Sequence, residues 1–545
     1  PNYFEEITDI PNADQTLADI LNERFTLKDL IIKDKLAAER KSLKDIILEL
    51  EDEVLANAGV DVFEEVFKLI FTKLYDEFKS QSDKEFINRI LRQQINTAIQ
   101  ESQGSYTSNG SDYETIKEAV SKIPDDDFRS MEFRNTGQTD SELKSKIQNL
   151  FDDAKNQWTG VFSDGSTFKL SDTHLSVCVS SLQDVKLFNS NLQIVDEAFE
   201  YLVSKSAKGE KGQYFTPRYV IDMCVKMLNP KRGEYMIDTA SGSCGFPVHT
   251  VFKLTGRKFT NAEILPEDKE NVLKVFGIDF DEKTVRIART LNLIAGDGET
   301  NVLHLNTLDY ERWSDRVERD RIWNLTYGRG FDRLMALRAE KDQNRLFNFD
   351  ILMANPPFAG DIKENRILHQ YKLGFKGNGQ AQSKVGRDIL FIERNLDFLK
   401  PGGRMAIVLP QGRFNNTSDK YIREFIAGRA RILAVVGLDT NTFKPHTGTK
   451  TSVMFLQKWN DDPDQGPLCP KVEDYPTFFA VSEKGGKDNS GDYVYLQNKN
   501  GQYMLDENGH LIIEHDLHNH NGELPDGIAE AFIEWARNIK LSFWS

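Results

Sequence analysis

Apolar residues recur at helical spacing through residues 1–204. The segment from Thr26 to Asn57 is rich in Lys and Glu with Leu and Ile at that spacing, and Asp61 is suited to cap the next helix. One broad face of this next helix carries seven apolar residues, which we assign to a domain core: Phe63, Val66, Phe67, Ile70, Phe71, Leu74 and Phe78. A Ser-, Gly- and Asn-rich stretch from Gln103 to Asp112 predicts a loop. The pattern predicts an α-helical N-terminal domain over residues 1–204.

Short apolar runs alternate with helical stretches over residues 205–460. Helical stretches separate the first five runs, which predicts an α/β domain with a mostly parallel seven-stranded sheet, and the last two runs are expected to pair antiparallel. Residues 310–348 are interpreted as a helical insertion, and residues 359–386 as a long loop of the kind that forms lids or binds substrate. The predicted strands are Tyr235–Asp238, Val275–Asp279, Val302–Leu305, Asp350–Ala354, Met405–Leu409, Ile432–Leu438 and Thr451–Gln457.

Residues 461–545 form a predicted C-terminal extension that is polar and turn-rich. It closes on a predicted amphipathic helix from Leu524 to Trp544. The apolar stripe of that helix consists of Ile528, Phe532, Trp535 and Ile539. Such a stripe packs either on its own domain or on a partner, and Phe532 and Trp535 would anchor a partner helix.

Composition narrows the class of protein. Apolar residues make up 39% and charged residues 28% of the 545 positions, as in ordinary soluble globular proteins. No apolar run is long enough to span a membrane and no signal peptide opens the chain, so we expect a cytoplasmic protein without a membrane partner. The first residue is Pro1 rather than Met, which indicates a processed or truncated start.

Cysteine and histidine placement argues against a metal site. The four cysteines are scattered without CxxC spacing: Cys178, Cys224, Cys244 and Cys469. This spacing argues against a zinc site and against a disulfide framework. Three histidines near the C-terminus, His515, His518 and His520, lie among carboxylates and predict a solvated loop rather than a metal centre. We predict no metal.

One predicted strand ends in Asn355-Pro356-Pro357-Phe358. The two prolines cannot continue the hydrogen bonding of a β-sheet and restrict the backbone that follows Asn355. Asn355 is therefore expected to have a fixed position at the carboxyl end of the strand. The Asn355 side-chain oxygen and the Pro356 carbonyl could accept both N–H groups of a planar exocyclic amine, on which Phe358 would stack, and this would favour alkylation of that amine. The competing interpretation is a strand end closed by an Asx turn at Asn355.

Other polar groups fall on the same edge of the predicted sheet. Small residues follow the first strand in the turn that runs from Asp238 to Phe246, Asp279 closes the second strand, and Asn306 closes the third. Asp279 could alternatively cap the helix that begins near Glu282. Before the first strand, Thr216 as N-cap and Pro217 as first helical residue predict a helix N-terminus that could receive a ligand carboxylate.

These motifs together resemble the adenine-N6 DNA methyltransferases that serve as modification subunits of type I restriction systems. Residues 195–460 carry the resemblance. The motifs are GQYFTP at 212–217, DTASGSCGF at 238–246, GIDFD at 277–281, ANPPF at 354–358, LKPGGRMAIVLPQG at 399–412 and TGTKTSVMF at 447–455. The resemblance implies a Rossmann-like S-adenosylmethionine-dependent methyltransferase domain over residues 205–460, preceded by a helical domain.

The resemblance also implies roles for individual residues. S-adenosylmethionine would lie against the turn of Asp238, Gly242, Ser243 and Cys244, with Asp279 on its ribose and Asn306 near its adenine. A further segment would surround its methionine part: Gly212, Gln213, Tyr214, Phe215, Thr216 and Pro217. The catalytic group would be Asn355, Pro356, Pro357 and Phe358, which would hold an adenine flipped out of double-stranded DNA.

Partners are implied in the same way: double-stranded DNA, a separate DNA specificity subunit and a restriction subunit with endonuclease and translocase activity. Because the net charge is −16, the chain alone is expected to bind DNA weakly and without sequence preference. The N-terminal domain and the C-terminal helix are the expected partner surfaces. Basic residues that could steady a flipped strand are Lys363, Arg366, Lys372, Lys376, Lys384 and Arg387.

The chain departs from the family pattern at three positions. Thr239 stands where Pro is frequent, Cys244 where Gly is frequent, and Asp279 where Glu is common. Cys244 is interpreted as a small packing residue rather than a nucleophile, since no His lies nearby in sequence. The stretch from Glu51 to Asp76 resembles variants with a further N-terminal restriction-type domain, which implies that Pro1 can lie inside a longer chain.

Two other functions remain open at this point. The first is N-methylation of a protein glutamine or of RNA, because a planar amide nitrogen needs the same two acceptors. Such enzymes are smaller and more often end the motif in Tyr. The second is a non-catalytic scaffold subunit, against which the intact Asn355-to-Phe358 motif argues.

Overall fold

The structure is a computed structural model, and it describes residues 25–35, 43–55, 58–82, 111–112, 121, 128–187, 193–206, 214–256, 266–294, 301–313, 321–376, 378–505, 511–519 and 527–544. The described residues form two compact units. The first draws on Pro1–Ser206 and Gln497–Ile512, and the second on Ala207–Phe259, Glu263–Leu496 and Ile513–Ser545. Of the predicted loop from Gln103 to Asp112, residues 103–110 lie outside the described residues, and Ser111–Asp112 form a short strand instead of a loop. The division at residues 204 and 460 stays a proposal; in the structure, segments on both sides of residue 460 belong to the second unit.

The first unit is built mainly of helices, as its apolar spacing predicts. They are α1 (Leu27–Ile32), α2 (Leu43–Glu53), α3 (Val62–Ser82), α4 (Asp140–Gln157), α5 (Asp172–Leu182) and α6 (Gln193–Ser206). A two-stranded antiparallel pair joins Ser111–Asp112 to Met504–Leu505. At the start of α3, the Asp61 carboxylate accepts a hydrogen bond from the Glu64 N–H, which is the cap the sequence predicts.

Helix α3 is the centre of this unit. Of the predicted stripe, all but the half-buried Phe78 are buried, and Phe67 and Phe71 pack edge-on against rings of neighbouring segments. Three of its carboxylates are buried too. Glu65 accepts from the Lys169 and Leu170 N–H groups, Asp76 from Glu132 and Phe133, and Glu77 from Leu187. Main-chain donors thus satisfy three carboxylates that an apolar core would otherwise exclude.

The second unit contains an eight-stranded sheet. Its strands are β1 (Met236–Asp238), β2 (Val275–Asp279), β3 (Asn301–His304), β4 (Phe349–Ala354), β5 (Leu399–Pro410), β6 (Ala430–Gly437), β7 (Thr451–Lys458) and β8 (Phe478–Val481). Their order is β8-β6-β7-β5-β4-β1-β2-β3, with β7 antiparallel to both neighbours and the other pairs parallel. All seven predicted strands and the mostly parallel fold are confirmed.

Strand β8 is the element that the sequence interpretation missed. It pairs in parallel with β6 at the edge of the sheet, within the segment predicted to be a turn-rich extension. The four-residue strand alternates half-buried and exposed positions, and polar, turn-forming residues surround it, so its apolar signal is short. The sheet therefore has eight strands rather than seven.

Helices cover both faces of this sheet. They are α7 (Arg218–Leu228), α8 (Gly245–Thr255), α9 (Pro266–Val272), α10 (Glu282–Ile294), α11 (Arg321–Ala336), α12 (Asn365–Leu368), α13 (Arg387–Phe398), α14 (Gly412–Asn415), α15 (Lys420–Ala427) and α16 (Ile528–Asn538). Neighbouring residues of β4 enter opposite cores: Ile351 and Met353 join one cluster, and Leu352 and Ala354 the other. A strand that is buried on both faces has an unbroken run of apolar residues in its sequence, and this run predicts β4.

Both predicted insertions are present. Residues 310–348 contain helix α11, as expected. Residues 359–386 are more ordered than a plain loop, because Asp361–Ile362 and Val385–Gly386 pair antiparallel and close the excursion at its base. None of the helices in the described part of the chain is long and apolar enough to cross a membrane.

The C-terminal helix α16 packs on its own unit. Phe532 is fully buried, with its ring centroid 6.1 Å from that of Phe455 and 5.6 Å from that of Phe478. Trp535 packs partly buried beside it. The suggestion that Phe532 anchors a partner helix is therefore wrong, because its ring already completes the core beneath β6, β7 and β8.

His518, near α16, is also buried rather than solvated, whereas His515 is half-buried. His518 is buried with its Nε2 3.9 Å from Asp222, and Asp222 pairs with His249 at 2.5 Å. The predicted solvated loop is wrong for His518, while His520 lies outside the described residues. No three His, Cys, Asp or Glu side chains among the described residues are placed to share a metal ion.

This burial predicts a pH-dependent stability. Burial lowers the pKa of His518, and the positive charge of Lys226 adds to this effect. The negative charges of Asp222 and Glu530 oppose it. The unfolded chain then binds a proton more readily than the folded one, so the free energy of unfolding should fall as pH drops below about 6.5. Denaturant melts at pH 7.5 and 5.5 measure the loss, which His518→Gln should reduce and His369→Gln, at an exposed site, should not. Equal pH slopes in wild type and His518→Gln would contradict the assignment.

Candidate active site

Four strand ends meet at one edge of the sheet. Strands β4, β1, β2 and β3 are consecutive neighbours and run parallel, so their carboxyl ends point the same way. Asp238 and Asp279 are the last residues of β1 and β2, and Asn306 and Asn355 follow the ends of β3 and β4. The predicted site residues on these four strands therefore lie along a single edge, where open α/β sheets bind ligands.

The turn after β1 is fastened to β2. The Ser241 N–H donates to the Ile278 carbonyl at 2.9 Å, and the Gly242 N–H donates to the Asp279 carboxylate at 3.0 Å. Gly242 has a φ of +51°, and a Cβ there would lie 3.2 Å from the Phe215 ring. A side chain at this position would be strained and crowded, so the turn keeps bare backbone on the ligand edge.

Asp279 holds the backbone at the sheet edge and does not cap the helix that follows. Its two oxygens accept from the Gly242 and Asp281 N–H groups, each at 3.0 Å, and its side chain is buried. Helix α10 is capped instead by Asp281, whose carboxylate accepts from the Thr284 N–H at 2.8 Å. The interpretation of Asp279 as a helix cap is wrong.

Asp238, at the end of the neighbouring strand β1, is a second buried carboxyl group beside Asp279. Burial raises the pKa of Asp238 well above its usual range, the Ala240 N–H opposes this, and the charge of Asp279 adds to it. Two acidic side chains at adjacent strand ends make this edge suited to ligand hydroxyl or ammonium groups rather than to anions.

Cys244 closes the turn in a left-handed conformation, with φ +64°, at the N-terminus of α8. The thiol is fully buried, and burial raises its pKa, with Asp238 adding to the effect. A Cβ on Gly277 of β2 would lie 2.7 Å from its sulfur. These contacts support the interpretation of Cys244 as a packing residue, and Gly277, which the sequence analysis did not single out, provides the space.

The third strand end links back to the first. The Asn306 side-chain oxygen accepts from the Leu308 N–H at 3.1 Å, and the Asn306 carbonyl accepts from the Trp313 indole at 2.9 Å. The next residue, Thr307, donates its hydroxyl to the Thr239 carbonyl at 2.6 Å. Asn306 is thus held in a turn beside the Gly242 loop.

Asn355 presents an acceptor that lacks a donor. Its amide nitrogen donates to the Tyr214 carbonyl at 3.2 Å, whereas its side-chain oxygen is buried without a hydrogen-bond partner among the described residues. Because a carbonyl only accepts, the NH₂ group must face Tyr214 and the oxygen must face away. A buried acceptor left unpaired is costly unless a ligand pairs with it.

The alternative of an Asx turn at Asn355 is wrong for a chemical reason. Such a turn needs the N–H two residues on, and that residue is Pro357, which has none. Pro356 is buried, and the Phe358 ring lies edge-on to Phe443 with centroids 5.9 Å apart. Phe443 comes from the segment between β6 and β7, which the sequence analysis connected with the site only through the neighbouring TGTKTSVMF motif.

The segment before α7 touches two parts of the edge. The Tyr214 carbonyl binds Asn355, while the Phe215 ring lies against Gly242. Helix α7 begins one residue later than predicted: Pro217 is its N-cap, with ψ 138°, and its carbonyl accepts from Ile221, so Thr216 precedes the cap. Gly212 and Gln213 lie outside the described residues.

One further aromatic residue stands out at this edge. Phe280 directly follows Asp279, yet 68% of its side chain is exposed. An exposed large ring beside a polar strand end is a candidate stacking surface for a flat ligand. Phe280 belongs to the GIDFD motif, where an apolar ring directly after the acidic residue is a signal for such a surface.

Comparisons with known proteins identify the relatives of the chain. The N-6 DNA methylase family matches residues 190–507 of the chain. The EcoEI type I restriction enzyme methylase subunit of Escherichia coli is 22% identical over 303 residues, which cover 54% of this chain and 53% of that protein. The EcoKI methylase subunit of Escherichia coli strain K12 is 24% identical over 338 residues, covering 60% and 57%.

Among solved structures, a type I restriction-modification methyltransferase subunit from Streptococcus thermophilus is similar at 16% identity and a TM-score of 0.44, over 86% of this chain and 92% of that one. The chain spans little more than half the length of the two curated relatives. Since the family match extends over more than half of the chain and includes every described residue of the sheet edge, the chain belongs to the N-6 DNA methylase family.

Proposed function

We propose that this chain transfers a methyl group from S-adenosylmethionine to N6 of a flipped-out adenine in DNA, as the modification subunit of a type I restriction-modification complex. The observation that carries the proposal is the Asn355 side-chain oxygen, a buried acceptor without a donor at the end of β4. An amino group held there would supply the missing hydrogen bond. Methylase-subunit relatives support the same activity.

The chain's contribution to the chemistry is hydrogen-bond acceptance and positioning. The lone pair of an exocyclic amine is delocalised into its ring, and acceptors on both N–H groups favour a pyramidal nitrogen with an available lone pair. Asn355 supplies one acceptor and the Pro356 carbonyl the other. The Tyr214 carbonyl keeps the Asn355 oxygen in the accepting orientation, so no rotation is needed during the reaction.

The cofactor assignment rests on the fit of the neighbouring strand ends. S-adenosylmethionine supplies an electrophilic methyl group on a sulfonium centre. Its hydroxyl-bearing ribose suits Asp279, its positive charge suits an edge with two buried carboxyl groups, and the bare backbone at Gly242 allows close approach. Asn306 and the exposed Phe280 are suited to the adenine end.

DNA is favoured over a protein substrate by local charge. Residues 359–387 contain six basic and two acidic residues in a chain whose net charge is −16. Arg366 pairs with Asp309, and Lys384 pairs with Asp361 at 2.8 Å. Lys363, Lys372 and Lys376 are exposed and form no ion pair with any carboxylate in the described part of the chain. Three exposed cations in the segment that follows the Asn355 motif along the chain suit a polyanion.

Replacing these three lysines by Gln should weaken DNA binding equally on all sequences. Each lost phosphate contact removes about one counterion-release step, so the slope of log affinity against log salt should fall by about two to three. Fluorescence anisotropy with duplex DNA at several salt concentrations measures this slope. The matched control replaces Lys231, Lys341 and Lys471, which are exposed elsewhere in the second unit. An equal slope change in both variants would remove the 359–387 segment from the interface.

The experiment that tests the proposed function compares the chain alone with the chain purified together with its partner subunits from the native host. Duplex DNA, RNA and a release-factor-like protein are offered as methyl acceptors, and modified adenines are mapped. We expect site-specific N6-methyladenine only in the presence of a specificity subunit, because the net charge of −16 opposes DNA binding by the chain alone and a second chain would supply the base-edge contacts. Site-specific methylation by the isolated chain would refute the partner requirement, and methylation of protein or RNA alone would refute the DNA substrate.

A further inference from the structure

The segment between β6 and β7 reaches the Asn355 amide through one side chain. His446 stacks on Tyr214 with ring centroids 5.5 Å apart and an interplanar angle of 26°. The carbonyl of that same Tyr214 accepts the hydrogen bond from the Asn355 amide nitrogen. A single residue therefore links the His446 ring to the group that orients the Asn355 oxygen.

This segment is in turn held by residues 485–491 of the C-terminal extension. The Lys487 ammonium donates to the Lys444 carbonyl at 2.8 Å, and the Lys444 ammonium donates to the Asn489 carbonyl at 2.9 Å. A Cβ on Gly491 would lie 2.6 Å from the Pro445 nitrogen, so the two backbones are in close contact. The backbone directly before His446 is thus held by the 485–491 segment.

We infer that His446 is a positioning residue for Asn355, acting through Tyr214, and that the 485–491 segment serves to hold His446 in place. The inference rests on the proposed function for its kinetic consequences. Without the His446 ring, Tyr214 can shift, its carbonyl no longer fixes the amide, and the Asn355 oxygen loses its single orientation. The contact is made by the ring face, so a planar aromatic ring should replace the imidazole.

The closing experiment measures kcat and KM for duplex DNA methylation by the full chain with its partner subunits. His446→Ala should lower kcat about three- to tenfold, the range expected for a lost ring pair, with KM for DNA nearly unchanged. His446→Phe should restore most of the rate. Tyr475→Ala is the matched control, since Tyr475 packs on Trp459 with ring centroids 5.6 Å apart, past the end of β7 that lies at the opposite edge of the sheet.

A double-mutant cycle separates positioning from general stabilisation. If His446 acts through Asn355, His446→Ala should have no further effect in the Asn355→Ala background, whereas an independent role would multiply the two losses. Full multiplication, a wild-type kcat in His446→Ala, or a His446→Phe variant as slow as His446→Ala would each overturn the inference.

A readout without catalysis keeps this inference distinct from the proposed function. If the wild-type complex methylates no DNA, the proposed function fails, yet the NMR signal of the ¹⁵N-labelled Asn355 side-chain amide still reports its bond to Tyr214. His446→Ala should move that signal toward the position of a solvent-exposed amide, and Tyr475→Ala should leave it in place. An unmoved signal in His446→Ala would overturn the positioning role.

Discussion

Replacing Asn355 by Ala should lower methyl transfer at least about a hundredfold, with little change in affinity for S-adenosylmethionine. The variant loses the buried side-chain oxygen at the end of β4 that is free to accept from a substrate amine. Removing one preorganised acceptor from a water-excluded site costs about 3 kcal/mol of transition-state stabilisation. Single-turnover methylation of duplex DNA measures the rate, and calorimetry measures cofactor binding.

Asn348→Ala is the control for this variant. Asn348 is exposed just before the opposite end of the same strand, so its replacement tests whether any change to β4 slows the reaction. We expect wild-type turnover from Asn348→Ala. Near-normal turnover from Asn355→Ala would remove Asn355 from the catalytic group.

Asp279→Ala should weaken S-adenosylmethionine binding by roughly thirtyfold. The carboxylate is the expected acceptor for the ribose, and it also holds the Gly242 and Asp281 N–H groups. Loss of a charge-assisted hydrogen bond costs about 2 kcal/mol. Gly242→Asp should have a similar effect for a different reason, because its φ of +51° and the nearby Phe215 ring leave no room for a side chain.

The control for Asp279 lies two residues away. Asp281→Ala removes the cap of α10 and should lower stability by about 1 kcal/mol while leaving cofactor affinity unchanged. Calorimetry on both variants, with a thermal melt of each, distinguishes the two carboxylates. Unchanged affinity in both Asp279→Ala and Gly242→Asp would place the cofactor elsewhere.

Local signals made much of the sheet predictable. Strands such as β4 are buried on both faces and therefore read as unbroken apolar runs, and parallel strands bring their carboxyl ends together without further information. Asp279 and Asn355 could be placed on one edge for this reason. The sequence alone also rules out an Asx turn at Asn355, since Pro357 has no N–H to donate.

Long-range contacts were not predictable in the same way. The hydrogen bond from Asn355 to Tyr214 joins residues 141 positions apart, and it uses a backbone carbonyl that every residue possesses. Phe443 reaches Phe358 from a segment whose apolar residues look like ordinary core. The buried His518 was mistaken for a solvated residue because its partners, Asp222 and Lys226, lie almost 300 positions earlier.

The buried carboxylates of α3 have a consequence for the order in which the first unit can fold during synthesis. Their main-chain donors lie at residues 132 and 133, 169 and 170, and 187, all well after the helix itself. Contacts over such separations require loop closure before they stabilise anything. A nascent chain that ends before Leu187 lacks a main-chain donor for Glu77, so the ion pairs Lys68–Glu65 and Lys73–Glu77 within α3 can form well before the main-chain contacts of these carboxylates.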